Sequence, residues 1–452
     1  MKKKLTVQEY VVVASMLFGL FFGAGNLIFP VHMGQMAGSQ LVPATLGFLI
    51  TGVGLPLLSV AALGISKSEG LFDLSRKVSR PYAYFFTCLL YLTIGPFFAI
   101  PRCATTAFTV GIEQAVPQAA ERLRLWLLVF SAVFFAAALL FSLFPGKILT
   151  WVGKILNPFF LLFLGILIIV ALVKPSAAIS AVAPEGAYAS QAFSTGFLEG
   201  YNTMDVLAGL AFGIIVVQVI RELGVTDADA VASSTVKAGV FSSLLMALIY
   251  LAVTVVGAQS RGLFATSENG GIALAQIARH YLGSAGLVIL AATVTLACLK
   301  TSVGLITSCA ETFCGMFPKG PGYRAWAVLF TLISFALSNF GLSTIISYSV
   351  PVLMFLYPLA IALVLLALFG RFYRHDRAVY ISVIVCTLLA ALYDLICALP
   401  EGLYDALHAD AVQAFGLRVL PFAGAGLGWI CPLALGFVIG LAVHLMQKFR
   451  TK

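Results

Sequence analysis

Apolar runs about as long as a bilayer's hydrocarbon core is thick follow one another through the whole chain. A spanning helix needs about 20 mostly apolar residues. Candidate spans lie at roughly 10–37, 41–64, 82–112, 123–143, 148–173, 192–222, 235–258, 284–315, 325–339, 343–370, 378–398 and 427–447. Only 10% of the 452 residues are charged and 61% are hydrophobic, whereas soluble domains carry roughly 25% charged residues. That excludes an ordinary soluble domain and a disordered chain. The chain is predicted to be an all-α polytopic membrane protein, one transmembrane domain over 1–452, because helices satisfy their own backbones in hydrocarbon. The basic start, Met1 to Lys4, precedes an apolar run that is too long for a removable leader and has no small-residue cleavage site. The 8 cysteines form no C-x-x-C pair and fall almost entirely inside apolar runs. They read as small core hydrophobes rather than metal or redox groups.

Charge placement predicts the orientation. With the N-terminus inside, the inner segments collect Lys2, Lys3, Lys4, Lys67, Arg76, Lys77, Arg80, Lys147, Lys154, Arg221, Lys237, Lys319, Arg324, Arg371, Arg374, Arg377, Lys448, Arg450 and Lys452. The outer segments hold only Arg122, Arg124, Lys174, Arg261, Arg279 and Arg418. Inner loops retain Lys and Arg, so twelve spans with both termini cytoplasmic are expected, in a plasma membrane.

Two spans are interrupted in matching places. The first carries "FGLFFGAGN" and the sixth "GFLEGYNTMDVLAG", residues 196 to 209. They are five spans apart. Two five-helix repeats, at about 8–173 and 192–370, would make the positions equivalent and invert the second repeat, with two extra helices at about 378–448. Broken helices in corresponding places are the sequence mark of a secondary transporter's binding site. Gly23 and Gly25 let a backbone leave helical geometry cheaply. Freed N–H groups at a half-helix start suit a carboxylate, and freed carbonyls suit a cation or an ammonium. An amino-acid zwitterion presents both charges. Asn26 can coordinate a cation or tie down the break. The spacings Gly34/Gly38, Gly209/Gly213 and Gly436/Gly440 read instead as helix-packing notches.

Ionisable residues within spans are costly and mark pathways or sites. Glu199 and Asp205 flank the second break, and each can contact substrate or hold the unwound backbone. Arg102, after "GPFFAIP", is expected to snorkel to the outer interface. Lys300 lies deep in the eighth span, beside Thr301 and Ser302. Asp394 and Glu311 are further polar intrusions. Leu399 to Pro421 reads as an outer loop with no assigned role. The 5 histidines are scattered, and H-E-x-x-H, G-x-S-x-G and Walker A patterns do not occur. No enzyme, cofactor or nucleic-acid partner is expected. An ion or solute channel is the competing class, but internal repeats argue against it.

The phrases "GLFFGAGNLIFP", "LITGVGLPLL", "YLTIGPFFAIPR", "GFLEGYNTMDVLAGLAFG" and "ACLKTSVGLITSCAE" resemble the bacterial LIV-II branched-chain amino acid:cation symporter family, from Lys4 to about Gly440. That resemblance implies a LeuT-type five-plus-five inverted repeat in the bacterial inner membrane. The chain is expected to function as a monomer. It implies import of leucine, isoleucine and valine by alternating access, coupled to Na+ or H+. Other apolar amino acids are alternative substrates. By resemblance the N–H groups of Ala24 and Gly25 would meet the substrate carboxylate. The carbonyl of Phe21 and the Asn26 side chain would form a first cation site, and the carbonyls of Gly19 and Phe22 would belong to a second. Glu199, Gly200, Tyr201, Asn202, Thr203 and Asp205 would line the substrate, with Gly23. The second cation site would take the Ala297 carbonyl and the Thr301 hydroxyl. Lys300 stands where the family's other hydroxyl is expected. Either its ammonium replaces sodium, with coupling to protons, or a one-residue shift to Thr301 and Ser302 restores a sodium site.

Overall fold

The computed structural model describes residues 4–66, 68, 70–114, 120–143 and 157–450. Lys2, Lys3, Lys67, Lys147, Lys154 and Lys452 of the charge pattern lie outside the described residues, as does the start of the 148–173 stretch. Among the described residues there is helix and no strand. The helices are α1 (Val7–Phe21), α2 (Ala24–Ala37), α3 (Leu41–Leu49), α4 (Leu55–Ile65), α5 (Leu71–Arg76), α6 (Arg80–Leu92), α7 (Ala99–Gly111), α8 (Ala120–Ser142) and α9 (Asn157–Val173). There follow α10 (Tyr188–Glu199), α11 (Asp205–Glu222), α12 (Ala228–Ser260), α13 (Gly270–Met316), α14 (Tyr323–Ser338) and α15 (Leu342–Phe369). The chain ends with α16 (Arg377–Cys397), α17 (Glu401–Ala406), α18 (Ala409–Val419) and α19 (Ile430–Arg450). Eight of the described helical stretches are long and apolar enough to cross a membrane, and Val7–Phe21, Leu161–Val173 and Tyr323–Ser338 are shorter apolar helices.

Polar caps start several spans. Thr6 Oγ1 accepts the Glu9 N–H at 3.3 Å, and the Thr6 N–H donates back to Glu9 Oε2 at 2.8 Å. This reciprocal pair satisfies donors that the first helical turn leaves free. Ser79 caps α6 by accepting the Tyr82 N–H, and Asp227 caps α12 by accepting the Ala230 N–H. Within α13, Gly283 has φ 64° and ψ −164°, a conformation only glycine adopts without strain. It splits the helix into a first part before residue 283 and a long span after it. The 399–421 segment is not a plain loop, because α17 and α18 lie within it, with Phe415, Leu417 and Val419 of α18 exposed.

Small residues let the spans cross at backbone contact. Gly34 of α2 faces the Thr254 carbonyl of α12, and Gly257 of α12 faces the Val31 carbonyl of α2. Gly436 and Gly440 lie against Val383 and Val379, so α19 packs closely on α16. Gly209 and Gly213 abut Ser59 and Leu63 of α4. The packing reading of these glycines therefore applies, although Gly38 also takes φ 48° at the end of α2. A leucine at Gly34 is expected to force α2 off α12 at a cost of about 2 kcal/mol or more. A lower melting temperature of the purified protein in detergent would show it.

Asp376 caps α16, with Oδ1 accepting the Ala378 N–H at 2.8 Å and Oδ2 meeting His444 Nδ1 of α19 at 2.5 Å. The His444 hydrogen bond holds the Asp376 carboxyl below its ordinary pKa. A lowered carboxylate pKa stabilises the fold above the unfolded value, and the effect is lost as pH falls through the lowered value. Asp376→Ala is expected to cost about 1 kcal/mol through the lost cap. Its stability should be less sensitive to acidification than that of the wild type, as measured by thermal melts across acidic pH.

Candidate functional site

The first break is short. α1 ends at Phe21, Phe22 turns out of the helix (φ −74°, ψ 94°), Gly23 is extended (φ −119°, ψ −161°) and α2 begins at Ala24. Neither Gly23 nor Gly25 has a positive φ, so the need for glycine here is space rather than backbone freedom. A Cβ on Gly23 would lie 3.2 Å from Thr301 of α13, and one on Gly25 would lie 2.8 Å from Arg102 Nη2.

Asn26 ties this break to the other. Its Oδ1 accepts the Gly23 N–H at 2.8 Å, and its Nδ2 donates to Asp205 Oδ2 at 2.7 Å and to the Tyr250 hydroxyl. The Tyr250 hydroxyl also donates to Asp205 Oδ2, at 3.0 Å. All three side chains are buried. A buried network of this kind is stable only when its members are satisfied, and it holds α2, α11 and α12 in one arrangement.

The second break runs from a 3-10 turn, Gly200–Thr203, through Met204 to the start of α11 at Asp205. Met204 is left-handed (φ 61°, ψ 15°). A non-glycine residue held there is strained, and such strain gathers at functional sites. Thr203 Oγ1 donates to the Gly200 carbonyl at 2.8 Å and so closes the turn. The Asn202 carbonyl accepts Arg102 Nη1 at 2.7 Å.

Both breaks open on one cavity of about 40 Å³. Its wall includes Phe21, Gly23, Ala24, Gly25, Asn26, Thr203, Asp205 and Thr301, all expected at the site from sequence. It also includes Met204, within the second break, and Arg102, Cys103 and Phe212, which were not expected there. The expectation that Arg102 reaches the outer interface is overturned: the residue is only 3% exposed, and its guanidinium carbon lies 5.1 Å from the centre of the Phe29 ring. The broken α6–α7 junction brings it inward. Gly95 leaves helical geometry there, ahead of Pro96, and α7 then packs along α13 and against α2. The signal in the sequence was the intramembrane charge itself. Tyr250 carried no signal beyond a hydroxyl in an apolar run.

Other expected residues lie off the cavity wall. Phe22 stacks on Phe18 and Tyr250, and Gly19 is buried within α1. Gly200 abuts Thr51. Tyr201 stacks on Tyr357 at 4.0 Å between ring centres. Asn202 serves Arg102 through its carbonyl, and Glu199 sits at the end of α10, half-buried. The Ala297 carbonyl accepts the Thr301 hydroxyl at 3.1 Å. Ser302 is fully buried, with its hydroxyl beside Cys103. Lys300, half-buried, is about 100° around the helix from Thr301 and does not line the cavity.

Solved structures share this architecture. Mhp1, a nucleobase-cation-symport-1 family transporter, in a closed conformation with bromovinylhydantoin bound, superposes with a TM-score of 0.57 at 15% identity, covering 98% of this chain and 93% of that one. MhsT in complex with L-phenylalanine gives 0.58 at 16% identity, covering 98% and 99%. The fold is that of the LeuT-type membrane transporters. Residues 6–447 match the family model described as branched-chain amino acid transport protein. The branched-chain amino acid permease BrnQ of Lactobacillus delbrueckii subsp. lactis is 53% identical over 450 residues, and the alignment covers 100% of each chain. BrnQ of Bacillus subtilis (strain 168) is 39% identical, also over 100% of each, and its BraB is 38% identical over 98% and 97%. The chain belongs to the branched-chain amino acid transport protein family. It is a multi-pass membrane transport protein and not an enzyme.

Proposed function

We propose that the protein imports leucine, isoleucine and valine by symport with sodium, through alternating access around the cavity between the two breaks. The observation that carries this reading is the convergence of the α2 start, Thr203, Met204 and Asp205 on one cavity, where Asn26 joins the two halves. The N–H groups that open α2 are free of helical partners and suit a carboxylate, while Asp205 suits an ammonium. Leu20, Ile94 and Phe212 supply apolar wall for a branched side chain. The names of the relatives agree with that substrate class. The chain would work as a monomer in a bacterial plasma membrane with both termini cytoplasmic, as the Lys and Arg distribution favours.

Sodium is favoured over protons by the face that α13 turns to the first break. Thr301 approaches Gly23, and the Ala297 carbonyl lies one turn before it. These are hard oxygen donors beside the unwound stretch, and Lys300 is on another face. Uptake of radiolabelled leucine into proteoliposomes with an imposed sodium or proton gradient tests the coupling. An inward sodium gradient is expected to drive accumulation. Thr301→Ala should weaken the sodium dependence about tenfold, on the order of one lost ligand at 1–2 kcal/mol, and Lys300→Ala should retain it. Accumulation driven equally by a proton gradient without sodium would overturn sodium coupling. Absence of leucine uptake under every gradient would overturn the transport assignment.

A further inference from the structure

We propose that the Arg102 guanidinium is the group that binds the substrate's carboxylate, together with the N–H groups at the start of α2. This rests on the transport reading given above and assigns a further binding residue to the same cavity.

A guanidinium offers five N–H donors and accepts nothing. Here Nη1 donates to the Asn202 carbonyl, Nη2 abuts Gly25 and Nε has no partner. The carboxylate that acts on it is Asp205, across the same cavity, whose Oδ2 takes its hydrogen bonds from Asn26 and Tyr250 rather than from the guanidinium. Leaving a buried charged donor unused costs more than leaving a neutral one, so the arrangement calls for an anion. Three features place that anion. Arg102 is on the cavity wall beside Ala24 and Gly25. Gly25 lacks the side chain that would otherwise separate the guanidinium from the α2 start. The α2 start supplies N–H groups that lack helical partners and the positive end of a helix dipole. A carboxylate held there meets a planar two-donor fork, the geometry at which guanidinium–carboxylate pairs are strongest. Asp205, on the same wall, offers the opposite charge to an ammonium. The cavity thus carries both signs of a zwitterion on fixed side chains. A different role is that Arg102 only latches α7 to the second break through Asn202. That role would be indifferent to which charge a ligand bears.

Competition separates the two roles. In proteoliposomes, leucine uptake is measured against 4-methylpentanoate, which is leucine without its amine, and 3-methylbutylamine, which is leucine without its carboxylate. Arg102→Gln is expected to raise the leucine KM about 30-fold or more, the scale of a lost charge-assisted pair. Inhibition by 4-methylpentanoate should disappear in this variant, while inhibition by 3-methylbutylamine should stay within about threefold of wild type. Arg102→Lys keeps the charge without the fork and should fall between. The Lys variant carries the test if the Gln variant is not recovered folded from the membrane. An unchanged inhibition profile, or equal weakening of both inhibitors, would overturn the carboxylate role. Wild-type protein that takes up no leucine would instead overturn the transport reading on which the proposal rests.

Discussion

Asn26→Leu is expected to reduce leucine uptake on the order of 100-fold or more. The substitution removes the amide's donors and acceptor and adds bulk at a buried site, so lost hydrogen bonds and overpacking act together. The Gly23 N–H, the Tyr250 hydroxyl and the Asp205 carboxylate each lose Asn26 as a partner. A buried polar group left without its partner costs about 1–3 kcal/mol, and every 1.4 kcal/mol is a factor of ten. The three groups belong to three spans, so what fails is the relative placement of the two breaks. Asn26→Asp would keep the acceptor for Gly23 but set a second carboxylate against Asp205, and it should be equally inactive. Uptake assays alongside gel filtration of the purified variants check this. Near-normal uptake by Asn26→Leu would show that the network does not organise the site.

Gly25→Ala is expected to lower uptake about 30-fold, through Arg102. The added methyl would fall 2.8 Å from Nη2, and Phe29 closes the other side at 3.3 Å. The guanidinium must move. Moving it breaks the 2.7 Å bond to Asn202 and withdraws a charge-assisted donor worth roughly 1.5–3 kcal/mol. Gly304→Ala on α13 is the control, because nothing lies within 4 Å of its Cβ position. It should transport as wild type does. If both variants behave alike, the contact between Gly25 and Arg102 does not matter for transport.

The positions of the two breaks were legible in the sequence. "FFGAGN" and "LEGYNTMD" are interruptions in apolar runs, and the breaks fall at 22–23 and 200–204. What stayed hidden was the direction of side chains around each break. Tyr201 and Asp205 are four residues apart, yet Tyr201 stacks on Tyr357 while Asp205 lines the cavity. The left-handed turn at Met204 lies between them, and helical periodicity cannot be carried across it. Around α13, Thr301 and Lys300 are neighbours in sequence but differ by about 100° in direction. Which of them meets the first break depends on how α13 rotates against α2, and a hydropathy pattern leaves that rotation open.

The order of the apolar spans, the positions of the two breaks and the helix-packing glycines were determined by the sequence alone. Hydropathy, chain breaking and small size are properties of a residue and its near neighbours. The tertiary structure decided that Gly25 packs against the Arg102 guanidinium, that Asn26 bonds Asp205, and that Arg102 turns inward. Asn26 and Asp205 are 179 positions apart, Asn26 and Tyr250 224, and Arg102 and Asn202 100. Contacts at such separations exist only once the spans have packed, because their partners are chosen by the crossing of helices and not by spacing along the chain.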